Sequence, residues 1–342
     1  MTLDLAQARV FQSPKDVFVL LSNEAETLNV ERFDVYGDFS ADTSASWMRG
    51  FEHHIADYLG HEDGLFLPSG VMAQMIMLCV NRERSTCKYR DTFLCHYSSH
   101  LLVHEQDSFS ELLKMNAAII SPQTEEEIQS PLKYTDIETN LTSSTPSTII
   151  IECPHREIGG KCTPLEDLKA ISTTCREKGI RLHMDGARLW EASAYYCSAS
   201  TGDEVSSLPS SPSITIKELC ALFDSVYVSF YKGLGGLTGA MLLGDKAFIA
   251  LSRVWLRRFG GNLFTLTPYA LSAYTGFQKN VDSFQARRNR LQEVIAIVTR
   301  CSLECMYWSA MMYNYIVLNY NYLRILFVEL RTKRQRRVLV VL

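Results

Sequence analysis

Between about Gly64 and Gly244 the chain alternates short apolar runs with stretches of helical periodicity, and this pattern restricts the possible folds more than any other feature. The apolar runs are Gly64 to Leu67, Thr92 to His96, Ala117 to Ser121, Ser147 to Cys153, Ile180 to Met184, Ser225 to Ser229 and Gly239 to Gly244. A strand covered on both faces needs no polar alternation, so near-continuous runs separated by helical patterns predict βα units around one buried, mainly parallel sheet of seven strands. One crossover helix carries its own start signal in Thr163-Pro164-Leu165-Glu166. Thr163 is expected to cap, Pro164 to take the first helical position, and the apolar positions stop before Gly179.

With 342 residues, 46% of them hydrophobic and 21% charged, the chain can bury a large core and fits one large unit with a smaller companion. A net charge of -4 and a pI near 6.1 give no footprint for nucleic acid or a membrane surface, so the expected partner is a small molecule. The ten cysteines are scattered, without a paired framework, and residues 1–20 carry no secretory leader. Reduced thiols and a soluble, cytoplasmic protein are expected. The Ser-, Pro- and Thr-rich stretches Thr142 to Ser147 and Ser198 to Ser213 are expected to be surface loops. The expected division is an N-terminal segment over 1–45, a large domain over 46–280 and a partial or atypical C-terminal small domain over 281–342. A charged helical pattern through Arg287, Arg288 and Leu291 to Thr299 opens the last of these. Beyond it, Met306 to Tyr322 is crowded with Tyr, Met and Asn, and a basic run from Arg331 to Arg337 precedes Val338 to Leu342. Asn and Arg interrupt the apolar stretch short of the ~20 residues of a spanning helix, so an altered or truncated reading is expected rather than an anchor.

Two segments place reactive groups just past buried runs: Leu182-His183-Met184-Asp185-Gly186-Ala187-Arg188 and Ser229-Phe230-Tyr231-Lys232-Gly233-Leu234-Gly235. An Asp followed downstream by a Lys at strand ends is what pyridoxal 5'-phosphate (PLP) chemistry requires. The Lys amine forms the Schiff base to the cofactor aldehyde, and the carboxylate keeps the pyridine nitrogen protonated. Asp185 is expected to be partly buried and ionised, and Arg188 to grip a substrate carboxylate with its planar fork. A structural Asp185–Arg188 ion pair is the blander alternative.

Four other segments stand in order around these. Leu65-Phe66-Leu67-Pro68-Ser69-Gly70-Val71 is a strand feeding a helix whose first N–H groups can meet an anion. Ser98-Ser99-His100 lies within His96, His100 and His104, whose spacing of four would align a metal site on a helix. The segment opens as an apolar strand, which argues against that register. Ile149-Ile150-Ile151-Glu152-Cys153-Pro154-His155 precedes Gly159-Gly160, and Arg257-Arg258-Phe259-Gly260-Gly261-Asn262 follows the lysine.

Taken together, these motifs resemble the threonine aldolase and β-eliminating lyase family of fold-type-I PLP-dependent enzymes, over roughly Val35 to Asn280. The resemblance implies a PLP-dependent transferase-like three-layer αβα sandwich and a homo-oligomer, dimer or tetramer. It implies Ser69, Gly70 and Val71 at the phosphate, Ser229 nearby, and Arg257 or Arg258 at a phosphate or subunit contact. It further implies His100 stacked on the ring, His155 assisting proton transfer at the substrate hydroxyl, Glu152 near the cofactor, Asp185 and Lys232 at the centre, and Arg188 on the substrate carboxylate, with no metal. Val71 stands where the family has Thr, Cys153-Pro154 where it has Asn-Thr, and Tyr231 where it has Ser. No segment after Thr299 matches the family's second carboxylate Arg. The expected function is cleavage of a β-hydroxy amino acid such as threonine or allo-threonine to glycine and an aldehyde, with places in threonine catabolism and glycine biosynthesis. The alternatives are β-elimination, or a non-catalytic truncated PLP-fold protein.

Overall fold

In the computed structural model of the protein, the structure describes residues 13–37, 46–141, 145–197, 214–308, 329–332 and 335–338. All seven apolar runs become strands of one sheet: β1 (Asp63–Leu67), β2 (Tyr89–His96), β3 (Asn116–Ile120), β4 (Pro146–Glu152), β5 (Arg181–Gly186), β6 (Ser225–Ser229) and β7 (Ala240–Gly244). Their order across the sheet is β1-β7-β6-β5-β4-β2-β3, with β7 antiparallel to both its neighbours and the remaining pairs parallel. β2 starts earlier than predicted. Its first residues are exposed and carry no apolar signal, and the pairing of Tyr89 with Pro146 is what extends it.

Side chains alternate between the two faces along each strand, and each face has its own core. Ile149, Ile151, Val226, Val228, Met241 and Leu243 pack on one side, and Ile150, Tyr227, Leu242, Leu65 and Leu67 on the other. Burying a side chain of this size contributes ~1.5–3 kcal/mol, so both faces need helical cover. The helix Gly70–Arg84, buried along most of its length, covers the second face beside the helix Lys246–Arg258. The helices Trp47–Leu59, Leu165–Lys178, Leu189–Tyr196 and Thr267–Asn280 contribute to the first core. The result is the three-layer αβα arrangement expected.

Polar pins fix the helices to the sheet. Glu52, on the helix Trp47–Leu59, bonds Arg49, accepts from the Phe66 N–H at 2.8 Å and meets Arg253 at 2.6 Å. Asp34 ties the N-terminal segment down, accepting from the Thr265 and Thr267 hydroxyls at 2.6 Å and from the Leu266 and Thr267 N–H groups at 2.8 Å.

The crossover helix ends at Gly179 as expected, but its start differs. Pro164, not Thr163, is the capping residue and makes no side-chain cap bond. Thr163 is buried and its carbonyl is engaged by the Tyr196 hydroxyl, which leaves it one position outside the helix. The charged pattern after Asn280 becomes a helix over Phe284–Trp308. Its first turns dock on the large unit: Phe284 joins the core, Arg287 donates to the Gly233 carbonyl at 2.8 Å and Arg288 to that of Ala194 at 2.9 Å. Glu329–Thr332 and Gln335–Val338 pair as an antiparallel hairpin. Residues 142–144 and 198–213 of the expected loops lie outside the described residues, as do 309–328 and 339–342 of the tail. Among the described residues, no helix is long and apolar enough to cross a membrane.

Candidate active site

Parallel strands point their carboxyl ends to the same edge of a sheet, and in open α/β sheets that edge is where sites form. Here the edge collects His96 from the end of β2, Glu152 from β4, Asp185 from β5 and Ser229 from β6. Register places Glu152 beside Asp185, and Asp185 beside Tyr227. The loop that leaves β6 carries Lys232, and Gly235, in the left-handed region with φ 79°, turns the chain back toward the sheet.

Asp185 is 3% exposed, more deeply buried than the sequence suggested, because β4 and β6 flank it on both sides. Burial pushes its carboxyl up to about 6, and the neighbouring Glu152 adds to this, while Lys232 and His100 draw it down. The Ala187 N–H donates to it at 3.1 Å. Burial likewise lowers the Lys232 amine, with Asp185 opposing and Arg188 reinforcing. The site is therefore a cluster of opposed charges at the edge of a dry core.

Glu152 is held by two backbone donors, His100 N–H at 3.0 Å and Arg156 N–H at 2.9 Å, and burial raises its carboxyl. His100 meets Glu105 at 3.1 Å, and this contact holds the imidazole above its ordinary value. His155 is 3% exposed and burial pushes it down to about 4, so it is neutral at pH 7. Arg188 precedes the helix Leu189–Tyr196, close enough to Lys232 and Glu191 to influence both.

Ser69 caps the helix Gly70–Arg84, its hydroxyl accepting from the Met72 N–H at 3.3 Å. Gly70 is required on steric grounds, since an added Cβ would fall 2.1 Å from the Tyr227 hydroxyl oxygen. Val71 is 41% exposed at the same helix start. A capped helix start, a buried carboxylate and a buried amine on one sheet edge form a donor set that fits PLP: an anion cradle, a partner for a cationic ring nitrogen and a nucleophile for an aldehyde.

The edge thus brings together Lys232, Asp185, His100, His155, Glu152, Arg188 and Ser229. It does not bring in Arg258, whose side chain lies over the Trp255 ring at 4.5 Å and 3.5 Å from Glu83, because the helix Lys246–Arg258 turns that face outward. Arg257 lies over Tyr36 at 5.6 Å. The helical alignment needed for a His96, His100 and His104 metal site does not form: His96 ends a strand, His104 pairs with Glu157 at 2.8 Å, and no metal-binding group of three is present among the described residues. Glu105, Glu191 and Tyr227 join the site without having been picked out from the sequence. Only Tyr227, a large polar residue within the aliphatic run of β6, left a local signal.

The sequence model of the β-eliminating lyase family matches residues 31–306. A low-specificity L-threonine aldolase of Candida albicans is 28% identical over 248 residues, 71% of this chain and 60% of that protein. The chain therefore spans less than two thirds of the length of that relative. A candidate L-allo-threonine aldolase from Listeria monocytogenes is 36% identical and superimposes with a TM-score of 0.66 over 81% of this chain and 68% of the other. A candidate aromatic amino acid β-eliminating lyase/threonine aldolase from Exiguobacterium is 32% identical, with a TM-score of 0.64 over 84% and 70%.

Proposed function

Because the chain belongs to the β-eliminating lyase family that includes the threonine aldolases, we propose that it is a PLP-dependent lyase cleaving a β-hydroxy amino acid, threonine or allo-threonine, to glycine and an aldehyde. The observation that carries this reading is the burial of Asp185 beside the Lys232 amine at the carboxyl edge of the sheet. When bound, PLP supplies the sink for electrons released at the substrate Cα.

The chain's own residues do the rest. Lys232, its amine lowered by burial, would be the nucleophile that holds the cofactor aldehyde. Asp185 would face the ring nitrogen of bound PLP, and a cationic nitrogen there would favour its ionised form. The N–H groups after Ser69, with Gly70 and Val71, hold the phosphate, and Ser229 lies at the same edge. His100, oriented by Glu105, covers the ring, and Arg188 takes the substrate carboxylate. His155, neutral at pH 7, accepts the proton of the substrate hydroxyl. Arg258 is left out of this assignment.

We further read residues 46–280 as the cofactor-binding domain, with 1–45 and 281–342 flanking it, and the protein as a homo-oligomer. Phe33, Tyr36, Leu263 and Phe264 are exposed apolar residues, and Tyr36 meets Phe264 edge-on at 5.5 Å, a surface suited to a second copy. Eight of the ten cysteines, from Cys79 to Cys220, are free thiols, which supports a reducing compartment such as the cytoplasm.

The test is direct. Purified protein with PLP and L-threonine or L-allo-threonine should release glycine and acetaldehyde in equal amounts, and borohydride should fix PLP to the Lys232 peptide. Lys232→Ala should lose both. Attachment at another lysine, or PLP bound at Lys232 without glycine release from either substrate, would overturn the reading.

A further inference from the structure

Two buried histidines meet across one serine at the edge of this site. The Ser98 hydroxyl oxygen lies 3.0 Å from His96 Nδ1 and 3.1 Å from His155 Nε2, and the two imidazole rings stand edge to face with centroids 4.5 Å apart. His96 and His155 are 5% and 3% exposed, so water does not decide which nitrogens carry protons.

Ser98 decides it instead, its backbone biasing each ring and its hydroxyl completing the link. Its N–H points at His96 Nδ1 from 3.3 Å and can only donate, so that nitrogen presents a lone pair. Its carbonyl lies 3.3 Å from His155 Nε2 and can only accept, so that nitrogen carries a proton. The Ser98 hydroxyl has one proton to give. It donates to His96 Nδ1 and accepts from His155 Nε2, and both short contacts are satisfied with no atom in conflict. A backbone hydrogen bond with Ser130 also engages His96 and favours its protonation.

The other charged groups around the pair leave this arrangement intact. Glu152 Oε2 is 3.9 Å from His155 Nε2, but the two Glu152 oxygens already accept from the N–H groups of His100 and Arg156. Glu157 acts on His155 and Asp136 on His96 only through their charge.

We propose that His96 and Ser98 are positioning residues, a fixed relay that holds the proton of His155 on Nε2 and leaves Nδ1 as the only nitrogen of His155 able to accept one. A neutral histidine has two tautomers, and only one of them offers the basic nitrogen on a given side. Locking the tautomer removes the population that would have to rearrange before accepting a proton. For its consequence in catalysis this inference rests on reading His155 as the proton acceptor; for the tautomer it does not.

The test uses full-length protein labelled with 15N-histidine, with and without PLP, in long-range proton–nitrogen correlation spectra at pH 7. His155 is assigned by the signals lost in His155→Gln. The relay requires a protonated Nε2 and an unprotonated Nδ1 for His155, without averaging. His96→Leu removes the acceptor of the Ser98 hydroxyl, which can then turn its proton toward His155, and the spectra should move toward a mixture of tautomers. His96→Gln offers an amide oxygen in its place and should restore the single form. Ser98→Ala gives an independent break should His96→Leu not fold. A wild-type His155 protonated on Nδ1 or averaged between forms, or one unmoved by both His96→Leu and Ser98→Ala, would overturn the relay. In threonine cleavage, His96→Leu should lower kcat about tenfold, a fraction of what a positioned base supplies, with KM within about twofold and recovery in His96→Gln. A loss confined to KM would make the pair merely structural. If the wild type releases no glycine at all, it is the proposed reaction that fails, and the spectra still decide the relay.

Discussion

At the scale of single residues, the proposed role of Asp185 runs against its folding energetics. Its folded-state carboxyl, raised to about 6 by burial, binds a proton more tightly than the ordinary value of 3.8 in the unfolded chain. The folded state therefore gains relative stability from protonated Asp185 at low pH and loses it as pH rises from about 4 through 6. Without PLP, Asp185→Asn should be more stable than the parent at pH 7 by on the order of 2 kcal/mol, and the gap should close near pH 4. The same variant should bind PLP more weakly, since the ring nitrogen loses its carboxylate. Denaturant melts of the apoprotein at several pH values, with a PLP titration beside them, check both halves. An apoprotein variant less stable than the parent at pH 7 would show that the carboxylate serves folding instead.

At the scale of elements, two contacts between the strands and their surroundings can be tested. The start of the helix Gly70–Arg84 is fitted against Tyr227 of β6, where a Cβ on Gly70 would be 2.1 Å from the hydroxyl oxygen. Gly70→Ala should cost ~1–3 kcal/mol by overpacking. Tyr227→Val opens that space, so the double variant should be more stable than the sum of the two single costs by about 1 kcal/mol or more. Simple additivity in the thermal melts would show that the two residues do not meet. The second contact joins β5 to β6, where fully buried His183 meets the Ser225 hydroxyl at 2.8 Å. Burial pushes this imidazole down to about 3, below the unfolded value near 6.5. Between those limits the unfolded chain takes up a proton that the folded protein refuses, so stability from this group is intact above about 6.5 and falls as pH drops. Compared with His183→Gln, the parent should lose about 2 kcal/mol between pH 7 and pH 5. A difference independent of pH would mean that His183 titrates normally in the fold.

At the scale of the whole molecule, the apolar surface around Phe264 sets the expected assembly. Phe264 is 64% exposed and meets the exposed ring of Tyr36 edge-on, apolar surface that a second copy would cover. Sedimentation velocity at micromolar concentration should give a dimer or larger species, and Phe264→Glu should shift it to monomer. A monomeric parent would remove the basis for a shared surface.

Much of the architecture could be read from the chain itself, because local physics dictates it. A strand buried on both faces must be apolar throughout, so Ile149-Ile150-Ile151 and Ser225 to Ser229 announced the sheet, and the two-register alternation of its side chains follows from the period of a strand. Lys232 and Asp185 were legible for the same reason, as reactive groups placed just after such runs. The tertiary structure alone decided what meets across the sheet edge. Glu105 turns back onto His100, Ser98 bridges His96 to His155 from 57 positions away, and Tyr227 reaches Gly70 over more than 150 positions. Arg258 was expected at a phosphate or subunit contact and Arg188 on a substrate carboxylate, yet the first lies over Trp255 while the second stands near the buried lysine. Periodicity states which face of an element is buried, but which charges share a dry pocket depends on how loops return to the sheet, and no local pattern encodes that.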